Sequence, residues 1–231
     1  MRTIQILFFL IPITFIHCVA QDDAFKSYQE VYSQSFSKEK SIKAFDFSNE
    51  SKWLISNNGK SGKALKCLGA GSYQCSHGGP AIVAVLKAYE LSDFVLEMDV
   101  MQNGKDYSLL DFCIFFDIKD TAHYCYAQLA SKADKKTHNI FMVDGEKPKR
   151  MGASLEDGIV WGMKQWQHVR MEHVASSKTV KVYFNDKLVF ELSSDRFLSG
   201  HIGFGSTNSA IKIDNFKLRA PSYKTNEKTF F

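Results

Sequence analysis

The sequence predicts an all-β protein built as a two-layer antiparallel β-sandwich, with one short helix near its N-terminal end. From residue 43 onward, apolar and polar residues alternate with the two-residue period of a β-strand. About ten to twelve such runs follow one another at intervals of ~8–15 residues, and no long helical period separates them. This order excludes α/β nucleotide-binding folds and helical bundles, and it favours an antiparallel sandwich.

The first twenty residues read as a secretory signal peptide. Arg2 precedes an apolar run at residues 6–16, and a small-x-small cleavage site ends at Ala20. The apolar run is shorter than the ~20 residues that span a bilayer. We therefore expect residues 1–20 to be removed and the protein to be secreted or periplasmic.

The remaining chain is predicted to contain a leading segment, the sandwich and a tail. Residues 21–42 form a helical or linker segment, and residues 43–220 form the sandwich. The helix is expected because aromatic residues recur there at helical spacing: Phe25, Tyr28, Tyr32 and Phe36. The last residues, 221–231, are polar and are predicted to be a flexible tail.

Two runs near the middle of the chain show the strand pattern most clearly. In residues 94–100 every even position is apolar, whereas Glu97 and Asp99 point to the opposite side. In residues 110–118 the even positions are again apolar, and Asp111 lies on the other side. Each of these strands therefore has one face for a core and one for solvent.

Two later features predict local strand geometry. Residues 185–186, Asn-Asp, separate two alternating runs and are typical of a two-residue β-hairpin. Around residues 214–215 the alternation changes parity, which predicts a β-bulge. Both features belong to an antiparallel sheet.

The charge of the chain is mild and mixed in sign. It has 29 Lys and Arg against 25 Asp and Glu, for a net charge of +4. Nucleic-acid-binding proteins concentrate basic charge on one element, and here it is densest in two short loop-like stretches, 132–136 and 147–150. We therefore expect no nucleic-acid partner. No later apolar run exceeds a few residues, so we expect no membrane span after the leader, and we expect a monomer.

Four cysteines remain after the predicted cleavage: Cys67, Cys75, Cys113 and Cys125. An even number in an oxidising compartment favours disulfides, and the absence of a C-x-x-C spacing argues against a metal site. Three pairings are possible. We favour Cys67–Cys75 and Cys113–Cys125 because each pair flanks a predicted turn, with free buried cysteines as the alternative.

The polar strand faces carry carboxylates, histidines and aromatic residues, and such a surface suits a carbohydrate. Sugar hydroxyls need paired donors and acceptors, while pyranose C–H faces stack on aromatic rings. Trp161, in a loop-like stretch between glycines, is the best candidate for a ring platform, with a core position as the alternative. Tyr126 shares a strand face with Gln128, and for this pair binding and core packing both fit.

Several segments resemble the concanavalin A-like lectin/glucanase superfamily of jelly rolls. They are SGKALKCLG, DFVLEMDV, HYCYAQLASKADKKTHNIFMVDGEKP, WQHVRMEHV with KTVKVYFNDKLVFE, and GHIGFGSTNSAIKIDNFKL. They look most like exported bacterial laminin-G-like and 3-keto-disaccharide hydrolase (family 16 glycoside hydrolase-like) domains. The resemblance covers residues 43–220 and implies a jelly-roll fold, with sugar binding or sugar hydrolysis as the activity.

The resemblance is densest between residues 123 and 147 and adds candidates for ligand contact there. Lys132 and His138 lie in this stretch, as does His123 at its start. A polar loop beside a strand is the alternative interpretation of these residues.

The resemblance to family 16 also implies a catalytic pattern, E-x-D-x-x-E on one strand. Glu97 and Asp99 match its first two acids, but Gln102 stands in the third position and cannot deliver a proton. Asp111, on a neighbouring strand, is a further candidate acid. Solvated carboxylates on a strand are the alternative, so whether the protein is an enzyme stays open.

No residue spacing predicts a metal site, and we expect no required cofactor. The acidic stretches 117–120 and 144–146 have oxygen ligands of the kind that calcium takes, but neither fits a recognised calcium-loop spacing, so ordinary turns are the favoured interpretation.

Three functions remain from these observations. The first is a secreted carbohydrate-binding, lectin-like module, favoured by the resemblance, the aromatic residues and the missing third acid. The second is a glycoside hydrolase-like enzyme of the 3-keto-disaccharide hydrolase type. The third is a surface adhesion or structural domain that binds protein.

Overall fold

A computed structural model describes most of the chain after the predicted leader, namely residues 24–70, 73–105, 109–152, 157–196 and 198–231. The signal peptide predicted at residues 1–20 lies outside these ranges. Within them, no helix has the length and apolar character needed to cross a membrane.

Strands account for nearly all the regular structure of the described residues. The first nine are β1 (Gln29–Gln34), β2 (Phe45–Phe47), β3 (Trp53–Gly59), β4 (Gly62–Cys67), β5 (Ile82–Leu86), β6 (Tyr89–Glu90), β7 (Phe94–Gln102), β8 (Asp111–Asp120) and β9 (His123–Ala130). The others are β10 (Asn139–Asp144), β11 (Lys149–Arg150), β12 (Trp166–Val174), β13 (Thr179–Phe184), β14 (Lys187–Ser193), β15 (His201–Ser206), β16 (Ile211–Ala220) and β17 (Lys224–Thr225). Two short 3₁₀ helices span Glu39–Ala44 and Glu50–Lys52.

The strands of the described residues build two large antiparallel sheets. One has eight strands in the order β14-β13-β12-β7-β16-β4-β3, with β1 pairing on β16. The other has seven strands in the order β11-β10-β9-β8-β15-β5-β2, and β17 pairs separately with β6. This arrangement confirms the predicted all-β antiparallel sandwich.

The core lies between the two sheets and is built from alternate strand residues. Leu96 and Met98 of β7 face Phe112, Ile114 and Phe116 of β8 across it, and all five side chains are buried. Burying one such side chain stabilises the fold by about 1.5–3 kcal/mol. Because alternate residues point outward, the far side of each sheet carries its own set of side chains.

The helix predicted from the aromatic spacing between Phe25 and Phe36 is wrong, although a short 3₁₀ helix, Glu39–Ala44, begins within the predicted helical or linker segment 21–42. Residues 29–34 form β1, which pairs with β16 through a bulge between Glu30 and Tyr32. The Tyr32 ring packs 6.1 Å from the Phe45 ring and 5.9 Å from the Phe216 ring. A bulged strand shifts side-chain parity, so aromatic spacing of three or four residues does not require a helix.

The predicted hairpin and bulge are both present. Asn185 and Asp186 have positive φ angles of 49° and 65°, as a type I′ turn between β13 and β14 requires. The pairing of β16 with β7 shifts register between Asp214 and Lys217, and Asn215 has a φ angle of 50°.

The predicted disulfides are wrong, because Cys67, Cys75, Cys113 and Cys125 are all free. Cys113 and Cys125 lie on adjacent strands, but Cys125 faces the core between the sheets while Cys113 faces the opposite side of the same sheet. Cys67 also faces the core, whereas Cys75 lies near the Tyr124 hydroxyl on the outer side. Side-chain direction therefore separates the members of both predicted pairs.

The predicted flexible tail is in contact with the sandwich. Residues 224–225 form β17 against β6, and the backbone N–H of Asn226 donates to the carbonyl of Ala88 at 2.9 Å. Further contacts at Phe230 and Phe231 bring the end of the chain to the outer side of the seven-stranded sheet.

Candidate functional site

The candidate residues divide between the two outward sides of the sandwich. We call the outward side of the eight-stranded sheet the charged face; its residues are Glu97, Asp99, His168, Arg170, Glu172 and Arg219. We call the outward side of the seven-stranded sheet the aromatic face; its apolar residues are Val83, Val85, Cys113, Phe115, Tyr124, Tyr126, Phe141 and Val143.

On the charged face, Asp99 is held as an ionised carboxylate. Lys60 Nζ lies 2.9 Å from Oδ1, Asn215 Nδ2 donates to Oδ2 at 2.8 Å, and His168 Nδ1 lies 3.4 Å from Oδ1. Burial raises the pKa of Asp99, but the hydrogen bonds from these groups and the Lys60 charge outweigh it and lower the pKa to about 2. Such a group has no proton to donate at neutral pH.

Glu97 is also surrounded by cations. Arg219 Nη2 donates to it at 3.1 Å, and Arg170 Nη1 lies 3.6 Å away. Arg170 also forms an ion pair with Glu172, in which Nη2 lies 2.8 Å from Oε1. The Tyr183 hydroxyl donates to Oε2 of Glu172 at 3.2 Å. The charged face is thus a network of paired charges. Asp99 is 4% exposed and bonded to protein groups, so it is not the solvated carboxylate of the alternative interpretation.

The aromatic face carries a row of rings set by strand register. Phe115 of β8 pairs with Tyr126 of β9, which in turn pairs with Phe141 of β10. The Tyr126 and Phe141 rings stack with centroids 5.1 Å apart, and the Phe115 and Tyr126 rings are 5.8 Å apart. Tyr124 adds a ring 6.1 Å from Tyr126.

Next to this row, Asp111 organises a polar cluster. Its Oδ2 accepts from Gln128 Nε2 at 2.8 Å and from the Thr207 backbone N–H at 3.0 Å. Its Oδ1 accepts from the Ser209 hydroxyl at 3.0 Å. Gln128 Nε2 also donates to the Thr207 hydroxyl at 3.1 Å. The amide group of Gln128 is therefore fixed in orientation, with its N–H donors used internally.

Two polar atoms at this junction have no hydrogen-bond partner among the described residues: Gln128 Oε1 and the Tyr126 hydroxyl. The two residues are 5% and 4% exposed and point outward from β9 at positions i and i+2. Burial raises the pKa of Tyr126, so its hydroxyl stays protonated and can donate. A fixed acceptor and a neutral donor thus lie beside a row of aromatic rings.

Two predicted ligand contacts lie in the core instead. Trp161 is 1% exposed, its Nε1 donates to the Leu129 carbonyl at 3.3 Å, and its ring packs 5.1 Å from the Phe184 ring. His138 is fully buried, with its ring 4.9 Å from the Phe190 ring. Both rings pack against residues of the core between the two sheets, Phe184 and Phe190, so neither has a face for a sugar and the ligand-contact interpretation is wrong for both.

Lys132 and His123 lie away from the polar cluster. Lys132 is exposed in the loop between β9 and β10, where its carbonyl accepts from the Thr137 hydroxyl at 2.7 Å. His123, at the far end of β9, has its Nδ1 2.8 Å from Asp120 and its Nε2 3.9 Å from Asp144. Of the six predicted ligand contacts, the structure brings together Tyr126 and Gln128, with Asp111 beside them.

The acidic stretches considered for calcium are occupied by protein partners. Asp117 lies 3.2 Å from His173 Nε2 inside the sandwich, and Asp144 pairs with Arg196. Burial lowers the pKa of His173, but the hydrogen bond and charge of Asp117, together with the Ser92 carbonyl and the Asp93 charge, outweigh it and raise the pKa. Across the described residues, no group of three or more His, Cys, Asp or Glu side chains is arranged to hold a metal ion.

The three candidate catalytic acids do not form one site. Glu97 and Asp99 point outward from the eight-stranded sheet, whereas Asp111 points outward from the seven-stranded sheet, with the core between them. Glycosidases place their two carboxyl groups about 5–9.5 Å apart, on either side of one bond. Packed sheets alone are about 10 Å apart, so Asp111 cannot complete a pair with Glu97.

Sequence reasoning missed several members of the aromatic face. Phe115 and Phe141 occupy outward positions of strands whose two faces are both apolar, so alternation did not single them out. Thr207 and Ser209 follow β15, 96 and 98 residues from Asp111, and join the site only through the fold. The sequence did indicate that Tyr126 and Gln128, two residues apart on one strand, point to the same side of the sheet.

Comparisons with solved structures show the fold. A carbohydrate-binding module, CBM66 from Bacillus subtilis, is similar with a TM-score of 0.55 at 16% identity, over 77% of this chain and 96% of that one. A protein of unknown function with a galectin-like fold, also from Bacillus subtilis, has a TM-score of 0.51 at 12% identity, over 87% and 100%. Domain 4 of AbnA, a GH43 extracellular arabinanase from Geobacillus stearothermophilus in complex with arabinotriose, has a TM-score of 0.50 at 13% identity, over 87% and 95%.

No protein-family model matches the chain, and no curated protein matches it. The similarity to solved structures therefore supports the jelly-roll fold that the sequence resemblance implied, at a level of identity that shows architecture alone.

Proposed function

We propose that this protein is a secreted carbohydrate-binding module that holds a glycan on the aromatic face of its seven-stranded sheet. The observation that carries the proposal is the combination of Gln128 Oε1 and the Tyr126 hydroxyl, both without a partner among the described residues, beside stacked rings. Hydroxyl groups of a sugar would donate to the first atom and accept from the second. The rings beside these atoms, Phe115, Tyr126 and Phe141, are 1–4% exposed, so a sugar could stack on them only after the segments over them move.

The charged face is the weaker candidate for the same ligand. Asp99, Glu97 and Glu172 already pair with Lys60, Arg170 or Arg219, so a neutral sugar would have to displace ion pairs to bind there. Breaking charge-assisted hydrogen bonds to make neutral ones is unfavourable. The aromatic face offers neutral groups that need no such exchange.

Two further observations support the proposal. Solved structures of similar fold include a carbohydrate-binding module and an arabinanase domain in complex with arabinotriose. The sequence of residues 1–20 has the pattern of a secretory leader, which would bring the protein to extracellular polysaccharides. Binding without cleavage is favoured because Asp111 uses both of its oxygens to orient neighbouring groups.

Affinity gel electrophoresis tests this function. The mature protein is run through gels that contain soluble arabinan, xylan or β-glucan, and we expect at least one polysaccharide to slow its migration. Tyr126→Phe removes only the hydroxyl and should weaken binding by about 2–10-fold, the range of one hydrogen bond. Gln128→Ala should weaken it by at least as much.

Glu97→Gln, on the charged face, is the matched control and should bind as the native protein does. Two results would contradict the proposal. One is a migration unchanged by every polysaccharide; the other is a loss of binding in the Glu97 variant with binding kept in the Tyr126 variant.

A further inference from the structure

One end of the aromatic face is covered by the end of the chain itself. Phe230 packs against the apolar cluster of this face, with its ring 5.1 Å from the His201 ring. Phe231 meets Tyr73 edge to face at 5.3 Å. The cavity left between these rings and the sheet measures about 20 Å³, which is room for about one water molecule. No sugar ring fits there while Phe230 and Phe231 are in place.

The covering segment is held mainly by a few polar contacts. Asp46 Oδ2 accepts from the backbone N–H groups of both Phe230 and Phe231, the second at 3.0 Å. The Lys228 backbone N–H donates to the Lys87 carbonyl at 3.2 Å, and the Lys228 side chain donates to the Lys119 carbonyl. Phe231 is 42% exposed. Segments with few buried apolar contacts open at low free-energy cost.

We propose that residues 226–231 form a self-inhibitory strap, latched by Asp46, that closes one end of the aromatic face and must leave before a glycan can lie along the whole row of rings. The strap rests on the proposed function, because the face that it covers is the proposed glycan site. Phe115 and Tyr124 line the cavity beneath the strap, and the segment that carries Cys75 and Gly79 covers the Tyr124 hydroxyl as well.

A thiol beneath the strap gives a test that needs no ligand. Cys75 lines the same cavity and is half-buried, whereas Cys67, Cys113 and Cys125 are buried elsewhere in the sandwich. Opening of the strap would uncover Cys75 further, so the rate at which 5,5′-dithiobis(2-nitrobenzoic acid) modifies this thiol should rise when the strap is destabilised. Asp46→Ala removes the latch and Phe230→Ala removes the seated ring, and each should raise this rate about tenfold.

Matched variants and a folding control accompany this measurement. Asp46→Asn keeps an acceptor oxygen and should raise the rate less than Asp46→Ala does. Mass spectrometry should find Cys113 and Cys125 unmodified, which separates strap opening from global unfolding. An unchanged Cys75 rate in both Asp46→Ala and Phe230→Ala would overturn the strap.

Binding to a polysaccharide that slows the native protein in gels then tests whether the strap inhibits glycan binding. In the affinity gels, Asp46→Ala and Phe230→Ala should bind more tightly than the native chain, by a factor close to their gain in Cys75 rate. A faster Cys75 reaction with unchanged affinity would overturn the inhibitory role. A faster Cys75 reaction with no polysaccharide retained by any variant would instead contradict the proposed function and leave the strap as a cover.

Discussion

The two outward faces of the sandwich use polar residues in opposite ways. On the charged face, each named carboxylate has at least one cation within 3.1 Å, as in the pairs Asp99–Lys60, Glu97–Arg219 and Glu172–Arg170. On the aromatic face, Asp111 is bound by neutral donors and leaves Gln128 Oε1 and the Tyr126 hydroxyl open. A face whose charges satisfy one another is stabilised internally, whereas neutral groups that are fixed and have no partner among the described residues fit the proposed glycan site.

This difference matters because the sequence offers carboxylates on both faces. Counting acids alone would direct attention to Glu97 and Asp99, which match two positions of a glycosidase pattern. The contacts show that these acids are committed to ion pairs. We therefore propose that glycan recognition takes place on the face with fewer charges.

The largest expected effect comes from removing the organiser of the polar cluster. Asp111→Ala leaves Gln128, Ser209 and the Thr207 backbone N–H without their acceptor, and should lower the free energy of unfolding by about 2–4 kcal/mol. Urea unfolding measures this change. Asp111→Asn keeps one acceptor oxygen and should lose clearly less. Equal losses in the two variants would show that the carboxylate does not hold the cluster together.

The next largest effect is the pH dependence of the charged face. Because the pKa of Asp99 is lowered from 3.8 to about 2, its stabilisation is present above pH 3.8 and is lost as the pH falls toward 2. The hydrogen bond and charge of Asp99 raise the pKa of His168 above 6.5, so that stabilisation is present below pH 6.5 and is lost as the pH rises through the raised value. The pair should therefore stabilise the fold most between these limits.

Urea unfolding across pH, compared between the native chain and Asp99→Asn, isolates this contribution. We expect the native protein to exceed the variant by roughly 1–2 kcal/mol near pH 5, a value reduced for solvent screening at this partly exposed site. The difference in free energy of unfolding should shrink both as the pH falls toward 2 and as it rises above 6.5. A constant difference from pH 2 to pH 8 would contradict the assignment.

A smaller effect is expected at Glu97. Glu97→Gln weakens ion pairs with Arg219 and Arg170 on a solvent-facing sheet, and should change the free energy of unfolding by about 0–1 kcal/mol. Thermal unfolding would detect it. A loss of several kcal/mol would mean that the charged face carries more of the stability than its exposure suggests.

The smallest effect concerns the cysteines. Since all four are free, a reductant should leave the thermal unfolding midpoint of the purified mature protein unchanged. In a second experiment, the unreduced protein is denatured and then treated with a thiol reagent. Mass spectrometry should find all four cysteines modified. A midpoint that falls on reduction would restore a disulfide, and the parity of Cys113 and Cys125 would then need another explanation.

The sequence predicted those parts of the fold that depend on local pattern. Alternation in residues 94–100 and 110–118 gave β7 and β8, and Asn185-Asp186 gave the hairpin turn, because each is decided within a few residues. The two-residue spacing of Tyr126 and Gln128 likewise indicated that they share one side of a strand, and these two residues carry the proposed site.

What the sequence did not show depends on contacts between distant residues. The helix expected near Tyr32 is a strand because β16, far along the chain, supplies its hydrogen-bond partners. Trp161 is in the core because Phe184 and Phe112 pack against it. The Asp46 latch joins residues 184 and 185 positions apart, so no local pattern could indicate it.

The most direct test of the central claim is to ask which face senses the ligand. Nuclear magnetic resonance of the ¹⁵N-labelled mature protein, titrated with an oligosaccharide of the polysaccharide that slows it in gels, maps the backbone amides that shift. We expect the largest shifts in β8, β9 and β10, around Tyr126 and Gln128. Shifts concentrated in β7 and β12, around Asp99 and His168, would contradict it.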